Sequence, residues 1–143
     1  MPLRITGSNC QEKQNSVDYE TVRVLIEENK ENVVLDFSAP WCKPCKKVYP
    51  ILQAISEKYT DIYFFKIDIG GSDKENIGEI YNITTLPTVI GFHNGKDLTP
   101  AKGISLGCSN IIESVSELIG LAQNRDKQEI VEEINKYLLE IKD

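Results

Sequence analysis

Val33–Phe37 reads Val-Val-Leu-Asp-Phe, an apolar run rich in β-branched residues that leads directly into the loop Pro40-Trp41-Cys42-Lys43-Pro44-Cys45. A run this short and this apolar fits a strand covered on both faces. The loop opens a helix, predicted from about Cys42 to Tyr59, with Val48, Ile51, Leu52 and Ile55 on its apolar side. Pro50 lies inside that pattern and predicts a kink, because it lacks an N–H and crowds the preceding turn. Asp36 is the anomaly of the segment. A carboxylate inside a two-sided apolar strand needs a partner, a water or a chemical task.

The remaining pattern surrounds this junction with alternating elements. Residues 1–15 carry little sequence pattern beyond a predicted short edge strand at Leu3–Ile5. Ser16 is the expected N-cap of a helix reaching about Asn29, with Tyr19, Val22, Leu25 and Ile26 at helical spacing. Ile62–Ile69 reads as a second buried strand, broken by Gly70-Gly71-Ser72, and Asp73–Tyr81 as a short helix. Thr88–His93 is a third strand. Asn94-Gly95 then signals a tight hairpin, so Lys96–Lys102 should return antiparallel, with Pro100 marking an edge. Asn110 with Glu113, and Asp126 with Glu129, resemble capping boxes that open two closing helices. The first buries Ile112, Val115, Leu118 and Ile119. The second, Asp126–Ile141, carries a stripe of Ile130, Ile134, Tyr137, Leu138 and Ile141. Two βα units followed by a hairpin imply an α/β domain, with a mixed sheet and helices on both faces.

The 143 residues fit one domain, 1–143, able to bury its own core. Sixteen basic against twenty-two acidic residues leave a net charge of −6. That balance argues against general nucleic-acid binding and against adhesion to anionic lipid. No apolar run approaches the roughly 20 residues that span a bilayer, and Met1–Asn15 lacks the apolar core of a secretory signal, so a cytoplasmic protein is expected. Four cysteines, at 10, 42, 45 and 108, are too few for a disulfide scaffold. Cys42 and Cys45 form the only close pair, and such a pair points to redox chemistry or metal binding. Cys10 and Cys108 have no motif around them and are expected to be small buried hydrophobes. His93, the sole histidine, is expected at a strand end rather than on a metal.

The segment Val34–Lys46, with its Trp41-Cys42-Lys43-Pro44-Cys45, resembles the active-site segment of the thioredoxin family. The resemblance continues through Pro50, Lys66, Leu86-Pro87-Thr88, Asn94-Gly95 and Gly103, and Ser16 to Ala122 can be laid on the family pattern. It implies a thioredoxin fold with an extra C-terminal helix at about 126–142. It also implies a protein-disulfide reductase that cycles between a Cys42/Cys45 dithiol and disulfide, without a cofactor. Cys42, at the first turn of a helix where unpaired N–H groups favour an anion, would be the attacking thiolate. Thioredoxins supply the scale for its pKa, about 7 against a free value of about 8.5. Cys45 would resolve the mixed disulfide. The resemblance makes Asp36 the proton acceptor for Cys45, with Lys66 beside it holding its pKa down. Trp41, Lys43, Pro44, Leu86, Pro87, Lys102 and Gly103 are the implied substrate-binding residues. Pro87 corresponds to the family's cis-proline and Trp41 to the ring beside the disulfide.

Departures from the pattern sharpen the expectations. Lys43 replaces the glycine commonest between the cysteines and should favour the thiolate and raise the reduction potential. Lys102 stands where a small apolar residue is usual and would favour acidic partners. The expected partners are protein disulfides and a thioredoxin-reductase-type electron donor, with the chain a monomer or weak dimer and no nucleic acid or membrane. The closing helix is expected to pack on its own domain. Three other readings stay open at this level: an oxidase or isomerase of an oxidising compartment, a metal or iron–sulfur carrier, and a redox-silent scaffold with the same fold.

Overall fold

The computed structural model describes residues 19–39, 41–68, 86, 88–98 and 108–142. Helix α1 (Tyr19–Arg23), which buries Val22, continues into a π-helical segment (Val24–Glu28), which buries Ile26. The expected N-cap Ser16 lies outside the described residues. Strand β1 (Val33–Ser38) is buried at every position, as an apolar run between two layers must be. It is followed by helix α2 (Lys43–Lys58) and strand β2 (Tyr63–Asp68). Strand β3 (Thr88–His93) and strand β4 (Lys96–Asp97) form the hairpin. Helices α3 (Cys108–Gln123) and α4 (Lys127–Lys142) close the fold.

The sheet order is β2-β1-β3-β4, with β1 parallel to β2 and antiparallel to β3. β1 is therefore central and flanked on both sides, which is why Val33–Phe37 contains no solvent-facing polar position. Alternate residues of the strands point into two separate cores. Val34, Phe64 and Val89 meet α2, α3 and α4 on one face, through Val48, Leu52, Ile55, Leu118, Ile119, Ile130 and Ile134. Val33, Leu35, Phe37, Phe65, Ile67, Ile90 and Phe92 meet Val22 and Ile26 of the first helix on the other.

The hairpin forms where Asn94-Gly95 requires it. Both residues adopt positive φ, 56° and 81°, the pairing that a two-residue primed turn needs. Within the described residues the returning strand pairs at Lys96 and Asp97, and the Leu98 N–H donates to the Gly91 carbonyl at 2.9 Å; the rest of the expected Lys96–Lys102 strand, including Pro100, lies outside them. His93 Nδ1 lies 2.7 Å from Asn32 Oδ1, tying the end of β3 to the entry of β1.

One expectation about a helix end needs correction. α3 begins at Cys108, so Asn110 sits inside its first turn rather than capping it. The first N–H groups of a helix have no partner within it, so a polar residue is tolerated there without being the cap. α2 runs unbroken through Pro50, which is exposed. The Pro50 position forfeits one backbone bond but does not end the helix. At Asp126 the capping expectation holds, as its carboxylate accepts a hydrogen bond from the Glu129 N–H at 3.3 Å.

The α3–α4 corner is tight. Asn124 takes a positive φ of 57° and the Arg125 N–H donates back to the Gly120 carbonyl at 2.8 Å, the six-to-one bond of a Schellman close. A Cβ on Gly120 would stand 2.7 Å from the Arg125 carbonyl oxygen, so the turn has room only for glycine there. The corner folds α4 back onto α2 and α3. Ile130 and Ile134 are fully buried, and Tyr137 and Leu138 are half-buried. Ile141, the last residue of the expected stripe, is 50% exposed. The extra helix thus packs on its own domain.

Candidate active site

Cys42 is the N-cap of α2 and is joined to Cys45 by a disulfide across the first turn, with Cα atoms 5.4 Å apart. Its Sγ accepts a hydrogen bond from the Cys45 backbone N–H at 3.2 Å. The sulfur therefore occupies the place where an N-cap side chain normally satisfies an orphan helix donor, and where the helix dipole favours negative charge. Pro44, in the first turn, has no N–H to leave unpaired and a φ already suited to a helix. Both cysteines are nearly covered: Cys42 is 5% and Cys45 2% exposed, packed with Ala39 and with half-buried Leu86. Trp41 is 71% exposed and Lys43 and Pro44 are also exposed, so solvent-facing side chains frame a covered disulfide.

Asp36 lies on β1, opposite Lys66 of β2 and Val89 of β3. It is 1% exposed, and neither carboxylate oxygen has a hydrogen-bond partner among the described residues. Burial pushes its pKa up from 3.8 to about 7, while the Lys66 ammonium pulls the other way. Lys66 does pull this pKa down, as expected, but burial has the larger effect and the net shift is upward. Loss of water around an unbonded carboxylate outweighs the attraction of a cation that makes no hydrogen bond to it. A carboxyl poised near neutrality can accept or give up a proton at ordinary pH, as a general base must.

Lys66 has a second neighbour that sequence inspection did not single out. Its Nζ sits 4.8 Å from the centroid of the Tyr49 ring on α2. Tyr49 stands one turn beyond Cys45, at i+4, and that spacing was the available signal. The ring face and the carboxylate share one ammonium, so α2 helps determine where the cation beside Asp36 rests.

The structure thus brings together Cys42, Cys45, Trp41, Lys43, Pro44 and Leu86 around the disulfide. It pairs Asp36 with Lys66 in the strands that lead to it. Pro87, Lys102, Gly103 and Cys10 lie outside the described residues, as does the side chain of Cys108.

The thioredoxin family model matches residues 13–117. The chain is 40% identical to Thioredoxin of Mycoplasma genitalium over 74 residues, 52% of this chain and 71% of that protein. It is 33% identical to Thioredoxin H2 of Arabidopsis thaliana over 73 residues, 51% of this chain and 53% of that protein, so it spans about half of that relative's length. The crystal structure of oxidised thioredoxin O2 from Arabidopsis thaliana matches with a TM-score of 0.57 and 22% identity, over 82% of this chain and 90% of that one, a likeness of fold. The matched residues hold the sheet, the cysteine pair and Asp36, while α4 lies beyond them. On this evidence the chain belongs to the thioredoxin family of thiol–disulfide oxidoreductases, with an added C-terminal helix.

Proposed function

We propose that the chain reduces disulfide bonds in client proteins, and that a reductase returns its own pair to the dithiol. In the forward half-cycle the Cys42 thiolate attacks one client sulfur, forms a mixed disulfide and releases the other client sulfur as a thiolate. Cys45, one turn further on, loses its proton and attacks Cys42 Sγ. The Cys42–Cys45 disulfide forms and the second client sulfur leaves, so two electrons pass from the pair to the client. Asp36 is the acceptor of the Cys45 proton, directly or through a water. Trp41, Lys43, Pro44 and Leu86 form the surface that receives the client strand, and Pro87, Lys102 and Gly103 are the further client-binding residues that the family resemblance implies. A cytoplasmic setting suits this direction, since reducing compartments keep such pairs as dithiols.

The observation that carries this reading is the Cys42–Cys45 disulfide at the N-cap of α2. The test is the equilibrium reduction potential of the pair in a dithiothreitol redox buffer, followed by the fluorescence of Trp41, the sole tryptophan. A reversible two-electron transition near about −270 mV, absent from Cys42→Ser, is the expected result. A value above about −200 mV would place the chain among oxidants or isomerases instead. Asp36→Asn should slow release of the mixed disulfide more than its formation. Equal slowing of both steps would remove Asp36 from its role.

A further inference from the structure

We propose that the exposed lysine face at the start of α2 is a docking surface for client proteins that carry acidic residues next to their disulfide. The proposal rests on the reductase reading and adds the class of client. Lys43, Lys46 and Lys47 stand at i, i+3 and i+4, the spacing that places side chains on one helix face. All three are exposed, as is Pro50 one turn on. The first turn of α2 contains no acidic residue, and the first acid along the helix is Glu57, near its far end. At 1.5 Å per residue that carboxylate is about 20 Å from Lys43, well beyond the roughly 8 Å over which exposed charges act at physiological salt. Along α2, therefore, the charge beside the disulfide is positive although the chain as a whole has a net charge of −6.

Helix stability does not account for this arrangement. Cations in the first turns oppose the helix dipole, and acidic residues would be preferred there on stability alone. The reactive sulfurs give the lysines a role. Cys42 and Cys45 are nearly covered, so a client reaches them only by coming close to the neighbouring side chains, among them the outward Trp41 and this lysine face. Within that distance an acidic flank is drawn in and a basic flank is repelled, which changes association rates more than it changes the chemistry.

The experiment uses the full chain, reduced beforehand, in single-turnover reaction with two synthetic peptides. Each peptide contains one disulfide, flanked by aspartates in one and by lysines in the other, and Trp41 fluorescence reports oxidation. In low salt the aspartate peptide should react faster by about 10-fold, within the range that steering by a few charges produces. That ratio should fall towards one at high salt and invert in the double variant Lys46→Glu, Lys47→Glu. A loss of thiolate character in that variant would slow both peptides alike and leave the ratio unchanged, so the ratio isolates docking. A ratio near one in low salt, or one indifferent to salt or to charge reversal, overturns the proposal. Failure of both peptides to react would overturn the reductase reading beneath it.

Discussion

The two ends of α2 are built on opposite principles. At its start a sulfur occupies the cap, and the strand leading to it buries Asp36 with no hydrogen-bond partner among the described residues. At its end the polar groups are paired. Tyr59, the C-cap residue, donates through its hydroxyl to Glu133 of α4, and Arg125 donates to the same carboxylate at 2.9 Å and to Glu129 at 3.0 Å. Lys58 rests against the rings of Tyr59 and Tyr137, at 5.7 and 5.1 Å. The paired end contributes stability. The unpaired end costs stability and keeps a proton acceptor near neutrality.

The sharpest way to break this contrast is to remove the cost. Asp36 has a folded pKa of about 7 against an unfolded value near 3.8, so the folded chain holds its proton more tightly. Its contribution to stability is therefore greatest below about pH 4 and is lost as pH rises to 7, a total of roughly 4 kcal/mol. Asp36→Asn should gain on the wild type by about that amount between pH 4 and 8 in urea unfolding, while disulfide exchange slows. A difference that does not change with pH would refute the assignment.

At the other end, Ile134→Ala should cost about 3 kcal/mol, since a fully buried side chain is cut back to a cavity. The potential of the cysteine pair should stay where it is. A shifted potential would mean that the two ends are coupled. Gly120→Ala should cost about 2 kcal/mol by forcing the α3–α4 corner apart, read from the same unfolding curves. Tyr59→Phe should cost about 1 kcal/mol, the usual worth of one such hydrogen bond. Its pH signature has the opposite sign to that of Asp36. Arg125 and Tyr59 hold the Glu133 carboxyl below its ordinary range, so its contribution is present at neutral pH and lost as pH falls. Tyr59→Phe should therefore flatten part of the acid limb of the stability curve.

The parts of this molecule that announce themselves in sequence are those governed by local chemistry. β1 is apolar at all but two positions, Asp36 and Ser38, because it is covered on two faces. Asn94-Gly95 is where the chain must take positive φ twice, and Asp126 caps α4 because its carboxylate reaches the Glu129 N–H. Cys42 and Cys45 were legible because the strand, the loop and the helix start all specified the same place. What escaped depends on distances between elements. Whether Lys66 or desolvation governs Asp36 is decided by how far the ammonium stands from the carboxylate, which no spacing along the chain records. Tyr49 matters because β2 passes beneath α2, and Asn110 failed as a cap because α3 starts earlier than its own residues require. Gly120 looked like any helical glycine until α4 folded back against it.

The order in which the chain leaves a ribosome gives the α3–α4 pair a consequence for synthesis. The face of the sheet covered by α2 is finished only when Ile111, Leu118 and Ile119 of α3, and then Ile130 and Ile134 of α4, are laid upon it. All of these come late in the sequence. With domains maturing as units during elongation, the sheet and α2 emerge while half of their apolar covering is still unmade. A nascent chain stalled near Asn124 would carry its reactive cysteines into the cell together with an open hydrophobic flank, making that interval the one most in need of a chaperone.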